Sequence, residues 1–441
     1  MTDKHLVVLL EGQLAGRLTQ ADGKLSFDYA DRYRESDGPT PISLSLPLAQ
    51  RRHAGTQLDS YLWGLLPDNE RVLERWASKF DTTPGSVFGL LSGAGEDCAG
   101  AVQFVRPERV DRLITGGERT AVDDVWIAGR IRAIRTDSAA WLPADDQSDG
   151  QWSLAGAQPK FALARHGQDW AQPAGTIATT HIFKPNTSPF LEFDINEYLC
   201  LTAARHLGIA AAKAELLTFE DERVLVVERY DRTADGQRVH QEDLCQAMGI
   251  KPQRKYQNAK GPGVKSVGAL LGSRVDADQG KLVAERFVSA LAYHWLVLNT
   301  DGHAKNFSVL LAGSQVRLAP LYDVASACVY QRTTPGAPAI GELRSSGLKL
   351  ALSIGGEYEA NRITGDDWRK CADDLGLDRD WVVSTVTMLA SGLPDAVHAA
   401  RDSLDHSLSD VLGSRLVELL ERRSRRCVEL LHGKVVTGRG H

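Results

Sequence analysis

Residues 299–327 read NTDGHAKNFSVLLAGSQVRLAPLYDVASA, and the order of polar groups in this stretch governs the reading of the rest of the chain. Asp301 and Asn306 are separated by four residues. Then come the apolar run FSVLL, a Gly313-Ser314 turn, the run VRLAP and finally Asp323. Two short strands closed by a Gly-Ser turn predict a hairpin with a polar group at each end. A carboxylate to accept a hydroxyl proton, followed by an amide and a second carboxylate at the ends of a hairpin, follows the logic of phosphoryl transfer. The last two would hold Mg²⁺ against nucleotide phosphates, and hard oxygen ligands suit that ion. The D-x₄-N spacing alone fits an Asp and an Asn capping a turn equally well, so the neighbouring segments decide.

Working upstream, Lys281 to Asn299 (KLVAERFVSALAYHWLVLN) is apolar around most of a helical circumference, which predicts a buried spine. Lys184, in HIFKPN, ends an apolar strand, and Glu197 lies on the helix predicted to follow. A strand lysine on the α- and β-phosphates, steadied by a helix glutamate, is the protein-kinase arrangement. A strand-end lysine reaching for water is the plainer alternative, and Glu192 and Asp194 compete with Glu197 for the pairing. Before these lies Ser153-Leu154-Ala155-Gly156-Ala157-Gln158, small residues between strands whose backbone N–H groups suit phosphates, although one glycine makes no GxGxxG. VERYDR (227–232) falls where a kinase has its hinge. The order is small-residue loop, strand Lys, helix Glu, hinge, D-x₄-N, Asp, and chance accounts poorly for all six in sequence.

The remainder of the 441 residues sets limits. The length predicts two or three packed units, and 43% hydrophobic with 24% charged residues is ordinary globular usage. A net charge of −6 argues against a surface that binds nucleic acid through charge everywhere. Leu6 to Leu10 is too short an apolar run for a secretory signal, and no run suits a membrane helix, so a cytoplasmic protein is expected. The six cysteines are never within four positions of one another, which predicts buried thiols rather than a zinc ribbon. Asp22-Gly23 predicts a hairpin turn, Pro67-Asp68-Asn69 a helix cap, and VDDVWIAGRIRAIRT a helix with Val125, Ile127, Ile131 and Ile134 on one face. The polar stretch LPADDQSDG (142–150) reads as a boundary. Arg422, Arg423, Arg425 and Arg426 read as the solvated face of a last helix, with an anionic partner as the alternative.

SLAGAQPKFAL, HIFKPN, NEYLCL, VERYDR, HQEDLCQ, NTDGHAKNFSVL and LAPLYDVASA together resemble the HipA-type serine/threonine kinases, the toxins of HipB–HipA toxin–antitoxin pairs. LSLPL and WGLLPDNERV extend the resemblance over nearly the whole chain. It implies an α+β, two-lobed protein-kinase-like fold with an N-terminal accessory β-rich domain. The blocks are 1–145 accessory, 146–232 small nucleotide lobe and 233–441 large helical lobe. It implies Asp301 as catalytic base, Asn306 and Asp323 as Mg²⁺ ligands and Lys184 on the ATP phosphates. Ala155, Gly156, Ala157, Gln158, Glu228, Tyr230 and His303 would line the ATP site, although His303 by its own chemistry reads as a structural hydrogen-bonding group. Ser153 matches the family's loop serine, autophosphorylated in trans; a dianion there would be repelled from a site built for ATP phosphates unless its loop swings away. Where common kinases read HRD and DFG, this chain has NTD and YDV. No Arg stands beside the base, which argues against control by activation-loop phosphorylation.

The implied partners are a helix-turn-helix HipB-like antitoxin, operator DNA mainly through that antitoxin, and a translation-related substrate such as an aminoacyl-tRNA synthetase. The expectation is therefore an ATP- and Mg²⁺-dependent serine/threonine protein kinase toxin, with acceptor specificity in loops such as 330–347. Two other readings keep the fold. One is a nucleotide-binding corepressor that dispenses with catalysis, which would need none of Asp301, Asn306, Asp323 and Lys184; the other is a kinase for a small metabolite.

Overall fold

A computed structural model describes residues 4–142, 152–187, 190–330, 348–405 and 411–433. The boundary stretch 142–150, apart from Leu142, and the loop 331–347 lie outside the described residues. The chain forms two compact units, each assembled from separated segments. The first comprises Met1–Thr187, Glu215–Gln253 and Ser308–Ala319; the second comprises Ser188–Ala214, Arg254–Phe307 and Pro320–His441.

In the first unit, an antiparallel five-stranded sheet runs in the order Arg52–Ala54, Lys24–Tyr29, Gln13–Ala21, Lys4–Leu10, Val102–Val105. The Asp22-Gly23 turn forms as expected: Ala21 faces Lys24, and both turn residues have positive φ (49° and 75°), which matches the twist of the strands they join. Side chains alternate across the sheet, so Leu6, Val8 and Leu10 enter the large core while Leu9 packs with Val105 and Leu113 on the other face. Asn69 caps Glu70–Lys79 by accepting from the N–H groups of Arg71 and Val72, which turns Val72 and Trp76 inward.

A second sheet has six strands in the order Ala214–Phe219, Glu222–Glu228, His181–Pro185, Phe161–His166, Asp169–Gly175, Gly117–Val122. Helix Asp124–Thr136 packs on it, with Ile127, Ile131 and Ile134 buried. Val125 departs from the expectation and is 60% exposed, because it sits in the first turn on the far side of the isoleucine stripe. The sheet thus takes in residues on both sides of 142–150, and one continuous core serves both sheets. The hairpin of the opening stretch forms as Ser308–Ala312 and Gln315–Leu318, turning at Gly313 (φ 58°), and His240–Asp243 pairs with its first strand.

The second unit is mainly helical. Ala277–Leu296 is its buried spine, with Phe287, Tyr293, Trp295 and Leu296 wholly enclosed. Arg379–Asp402 packs on Phe193–His206, Ala277–Leu296 and the last helix, Val411–Leu431. Pro394 interrupts Arg379–Asp402, and the Ala390 carbonyl that its missing N–H leaves over accepts instead from Ser424 Oγ at 2.7 Å. The arginines of the last helix are not a uniformly solvated face. Arg423 is buried and donates to the carbonyls of Trp295 (3.1 and 2.5 Å) and Leu296 (2.9 Å), closing the end of the spine helix. Arg422 and Arg426 pair with Glu418 and Glu429 of their own helix. All six cysteines are free and buried. Among the described residues no helix is long and apolar enough to cross a membrane.

Candidate active site

The spine helix ends at Leu296 because Leu298 takes a left-handed conformation (φ 55°), unfavourable for a leucine and therefore imposed by its surroundings: it is buried, and its carbonyl accepts from Ala327 N at 3.0 Å. Asn299 then ties the turn together. Its N–H donates to His294 O (2.8 Å), its amide Nδ2 donates to His294 Nδ1 (2.9 Å), and its Oδ1 accepts from Asp301 N (3.0 Å). Asp301 O in turn accepts from His303 N (2.7 Å) and from Asn306 Nδ2 (3.1 Å). The backbone of Asp301 is thus held on both sides while its side chain stays at an exposed position. The D-x₄-N spacing is what lets the Asn306 amide reach back across the single 3₁₀ turn Ala304–Asn306.

Asn299 Nδ2 also approaches the carbonyl of Asp323 at 3.5 Å, and Tyr322 donates its hydroxyl to Lys305 O at 2.6 Å. Asp323 has φ 53°, a conformation that Asp tolerates better than most residues. The second unit therefore assembles Asp301, His303, Asn306 and Asp323 around one hydrogen-bonded turn. With the Asn306 nitrogen committed to Asp301 O, its Oδ1 remains as an acceptor; an amide oxygen and a carboxylate, the groups that Asn306 and Asp323 would offer, are of the hard-oxygen type that suits a cation such as Mg²⁺. Burial, together with nearby Lys255, pushes the pKa of His303 down to about 4, with Asp301 opposing. Burial and His303 push His294 down to about 3. Both rings are neutral at pH 7. The hydrogen-bonding role expected of the His303 ring is not what the structure shows: Nδ1 is buried without a hydrogen-bond partner among the described residues, and the ring instead meets the Tyr256 ring edge-on at 4.9 Å.

The other expected residues belong to the first unit. Lys184 is buried on His181–Pro185, opposite Leu225 and next to Phe183, which pairs with Phe161. Ser153 is wholly buried. Trp152–Ser153 pairs in parallel with Asp97–Cys98, and Ser153 Oγ donates to Leu65 O at 2.7 Å. In the loop that follows, Gly156 has φ 103°, open in practice only to glycine, and its carbonyl accepts from Asp68 N at 2.9 Å. Lys160, a buried lysine that the sequence did not single out, donates to Ala155 O at 2.7 Å, and its ammonium lies 5.1 Å from the Trp141 ring centre. Ala157 is exposed and Gln158 half-buried. Glu228 ends its strand exposed, and Tyr230 donates to Gln241 Oε1 at 2.8 Å.

Alternation in VERYDR sends Arg229 and Asp231 the other way, into a buried ion cluster whose partners lie far apart along the chain and leave no local pattern. Arg229 binds Asp231 (3.0 and 2.8 Å), the Thr179 hydroxyl and Cys98 O; Arg232 binds Asp97 (2.8 Å) and Gly100 O; Asp231 accepts from Gly100 N. Burial alone would raise the pKa of Asp97, but Arg232, Arg238 and Arg229 together hold it far below the usual carboxylate range. HQEDLCQ is likewise an anchor. His240 Nε2 meets Ile42 O (3.0 Å), Glu242 Oε1 accepts from Leu44 N (2.7 Å), Asp243 and Gln246 form a capping box, and Gln246 O accepts from Ser45 Oγ (2.8 Å).

A family model described as the HipA-like C-terminal domain matches residues 152–397, and one described as the HipA N-terminal domain matches residues 6–105. The chain is 32% identical over 407 residues to a Sinorhizobium fredii protein named "Putative kinase Y4mE", covering 90% of this chain and 92% of that protein. It is 28% identical over 400 residues to the serine/threonine-protein kinase toxin HipA of Shewanella oneidensis, covering 85% and 86%. In fold it is similar to the HipA chain of a solved Shewanella oneidensis complex of HipA, HipB and operator DNA, with a TM-score of 0.77 at 24% identity over 97% of both chains. With both halves of the sequence matched and the α+β fold shared, the chain belongs to the HipA family.

Proposed function

We propose that the protein is an ATP- and Mg²⁺-dependent serine/threonine protein kinase that acts as the toxin of a toxin–antitoxin pair. The observation that carries this reading is the turn that holds Asp301 at an exposed position while the side chain of Asn306 is tied to its carbonyl. A scaffold that merely bound a nucleotide would have no use for a carboxylate so held. The Shewanella relative that carries the name of kinase toxin supports the same reading.

In the reaction, the oxygen of a serine or threonine hydroxyl attacks the γ-phosphorus of ATP, the bond to the ADP oxygen breaks, and Asp301 takes the hydroxyl proton. Lys184 offsets phosphate charge. Asn306 and Asp323 would hold Mg²⁺, which when bound supplies positive charge at the nucleotide phosphates. Gly156 and its small neighbours, Glu228 and Tyr230 frame the nucleotide. Ser153 is the autophosphorylation site of this proposal; because its hydroxyl is buried against Leu65 O, Trp152–Ser153 must leave its pairing before it reacts.

The partners in this reading are a HipB-like helix-turn-helix antitoxin, operator DNA met mainly through it, and a translation-related substrate such as an aminoacyl-tRNA synthetase, all in the cytoplasm. A net charge of −6 agrees with DNA contact through a partner. The test is incubation with radiolabelled ATP and Mg²⁺, mass-spectrometric mapping of phosphate, and expression in growing cells. Label on Ser153 or a cellular protein, with growth arrest relieved by Asp301→Ala, is the expected result. No label on any protein, with both forms equally harmless, would sink it.

A further inference from the structure

We infer that Tyr256 is a positioning residue for the carboxylate of Asp301, an inference that rests on the reading of Asp301 as the base. The phenol donates to Asp301 Oδ1 at 2.5 Å. With one carboxylate oxygen taken by a fixed donor, the other is directed to the incoming hydroxyl, and rotation about the last side-chain bond of Asp301 is removed. The hydrogen bonds described above fix only the Asp301 backbone. Tyr256 is the group that fixes its reacting end.

The tyrosine is itself tightly held. Its carbonyl accepts from Ala259 N (3.0 Å) and Gly261 N (2.9 Å). A β-carbon at Gly261 would stand 2.0 Å from Arg254 O and 2.6 Å from Tyr256 O, so this turn closes only around glycine. On one side the loop is bound to the turn that carries Asp301, through Ala304 N to Lys255 O (3.2 Å) and the edge-on packing of Tyr256 on His303. On the other side Gln257 makes a two-bond clasp with Ser353, donating to its hydroxyl (2.9 Å) and accepting from its N–H (2.8 Å). A side chain clamped at both ends of its loop, with its polar tip on the base, is built to preorganise that base.

The experiment compares wild type, Tyr256→Phe, Asp301→Asn, the double variant and Ser353→Ala as full-length proteins. It reads phosphate release and self-labelling from radiolabelled ATP with Mg²⁺, together with thermal unfolding. Tyr256→Phe keeps the ring on His303 and removes only the donor. The expected result is a kcat about 10- to 100-fold lower at unchanged KM for ATP and unchanged unfolding, with no further loss when the change is added to Asp301→Asn. Ser353→Ala, which loosens the loop without touching the phenol, should lower kcat by less. Wild-type kcat in Tyr256→Phe beside an inactive Asp301→Asn would overturn the positioning role and leave the base assignment standing. Undiminished turnover in Asp301→Asn would overturn both. A rise in kcat in Tyr256→Phe or Ser353→Ala would mean that the phenol obstructs the base, which also overturns the proposal.

Discussion

At Gly302 one added methyl group decides whether the turn carrying Asp301 keeps its shape. A β-carbon there would lie 2.7 Å from His294 Nδ1, the atom that receives the Asn299 amide. Gly302→Ala should therefore break the Asn299–His294 bond and destabilise the protein by about 1–3 kcal/mol. Turnover should fall more than about 10-fold even at temperatures where the variant is folded, because Asp301 is displaced. Urea unfolding beside an ATP turnover assay checks both, and a stable variant with full turnover would refute it. Glu242 is a different kind of site. Burial raises its pKa to about 8 from an ordinary 4.5, with the Leu44 N–H opposing. A carboxyl whose pKa is raised on folding binds its proton more tightly in the native state. Its contribution is therefore most favourable below pH 4.5 and is lost as the pH rises from there towards 8. Glu242→Gln keeps an acceptor for Leu44 N and removes the titration. Its stability relative to wild type should grow across pH 5 to 8, reaching on the order of 4 kcal/mol. Parallel stability-versus-pH curves for the two proteins would refute this.

Among the elements, those with a local signature were legible. The Asp22-Gly23 hairpin, the Asn69 cap, the spine helix and the Ser308–Leu318 hairpin stand where turn chemistry and periodicity put them, and Asp301 and Asn306 meet because their spacing is itself the length of one turn. What periodicity does not encode was not legible. Tyr256 sits in a polar loop without a repeat, and Arg423 looked like one of four solvated arginines because its partners, the carbonyls at the end of the spine helix, lie more than a hundred residues earlier. That long-range cap yields a prediction at this scale. Arg423→Ala removes the guanidinium from both carbonyls, leaving Trp295 O only its backbone donor Leu298 N (3.2 Å), and should cost about 2–4 kcal/mol. Lys should restore only part of this, since a single ammonium does not reproduce the planar fork that spans both groups. Ser424→Ala, next to it, orphans the Ala390 carbonyl that Pro394 cannot serve and should cost about 1–2 kcal/mol. Thermal unfolding of the three variants tests the order, and an Arg423→Ala protein as stable as wild type would remove the cap from the account.

At the scale of the whole molecule, the stretch matched by the N-terminal family model is part of the same compact unit as the strands that carry Lys184 and VERYDR. The reason is chemical rather than merely apolar. Arg229 and Arg232 donate to Asp97, Cys98 and Gly100, while His240 Nε2 meets Ile42 O, Glu242 accepts from Leu44 N and Gln246 O accepts from Ser45 Oγ. Removing residues 1–105 would strip these partners at one stroke. Breaking a buried ion pair costs about 3–5 kcal/mol, so losing Asp97 from Arg232 together with the backbone acceptors removes an amount comparable with the roughly 5–15 kcal/mol by which a domain is usually stable. The fragment 106–441 should therefore be insoluble or lack a cooperative unfolding transition when expressed alone, and co-expression of residues 1–105 should recover soluble protein. Asp97→Ala in the full chain is the milder form of the same cut and should lower stability by about 3–5 kcal/mol while leaving every catalytic candidate in place. A soluble fragment with a sharp melt would show that the ion cluster is dispensable, and the N-terminal segment would then be an attachment rather than a structural half of the first unit.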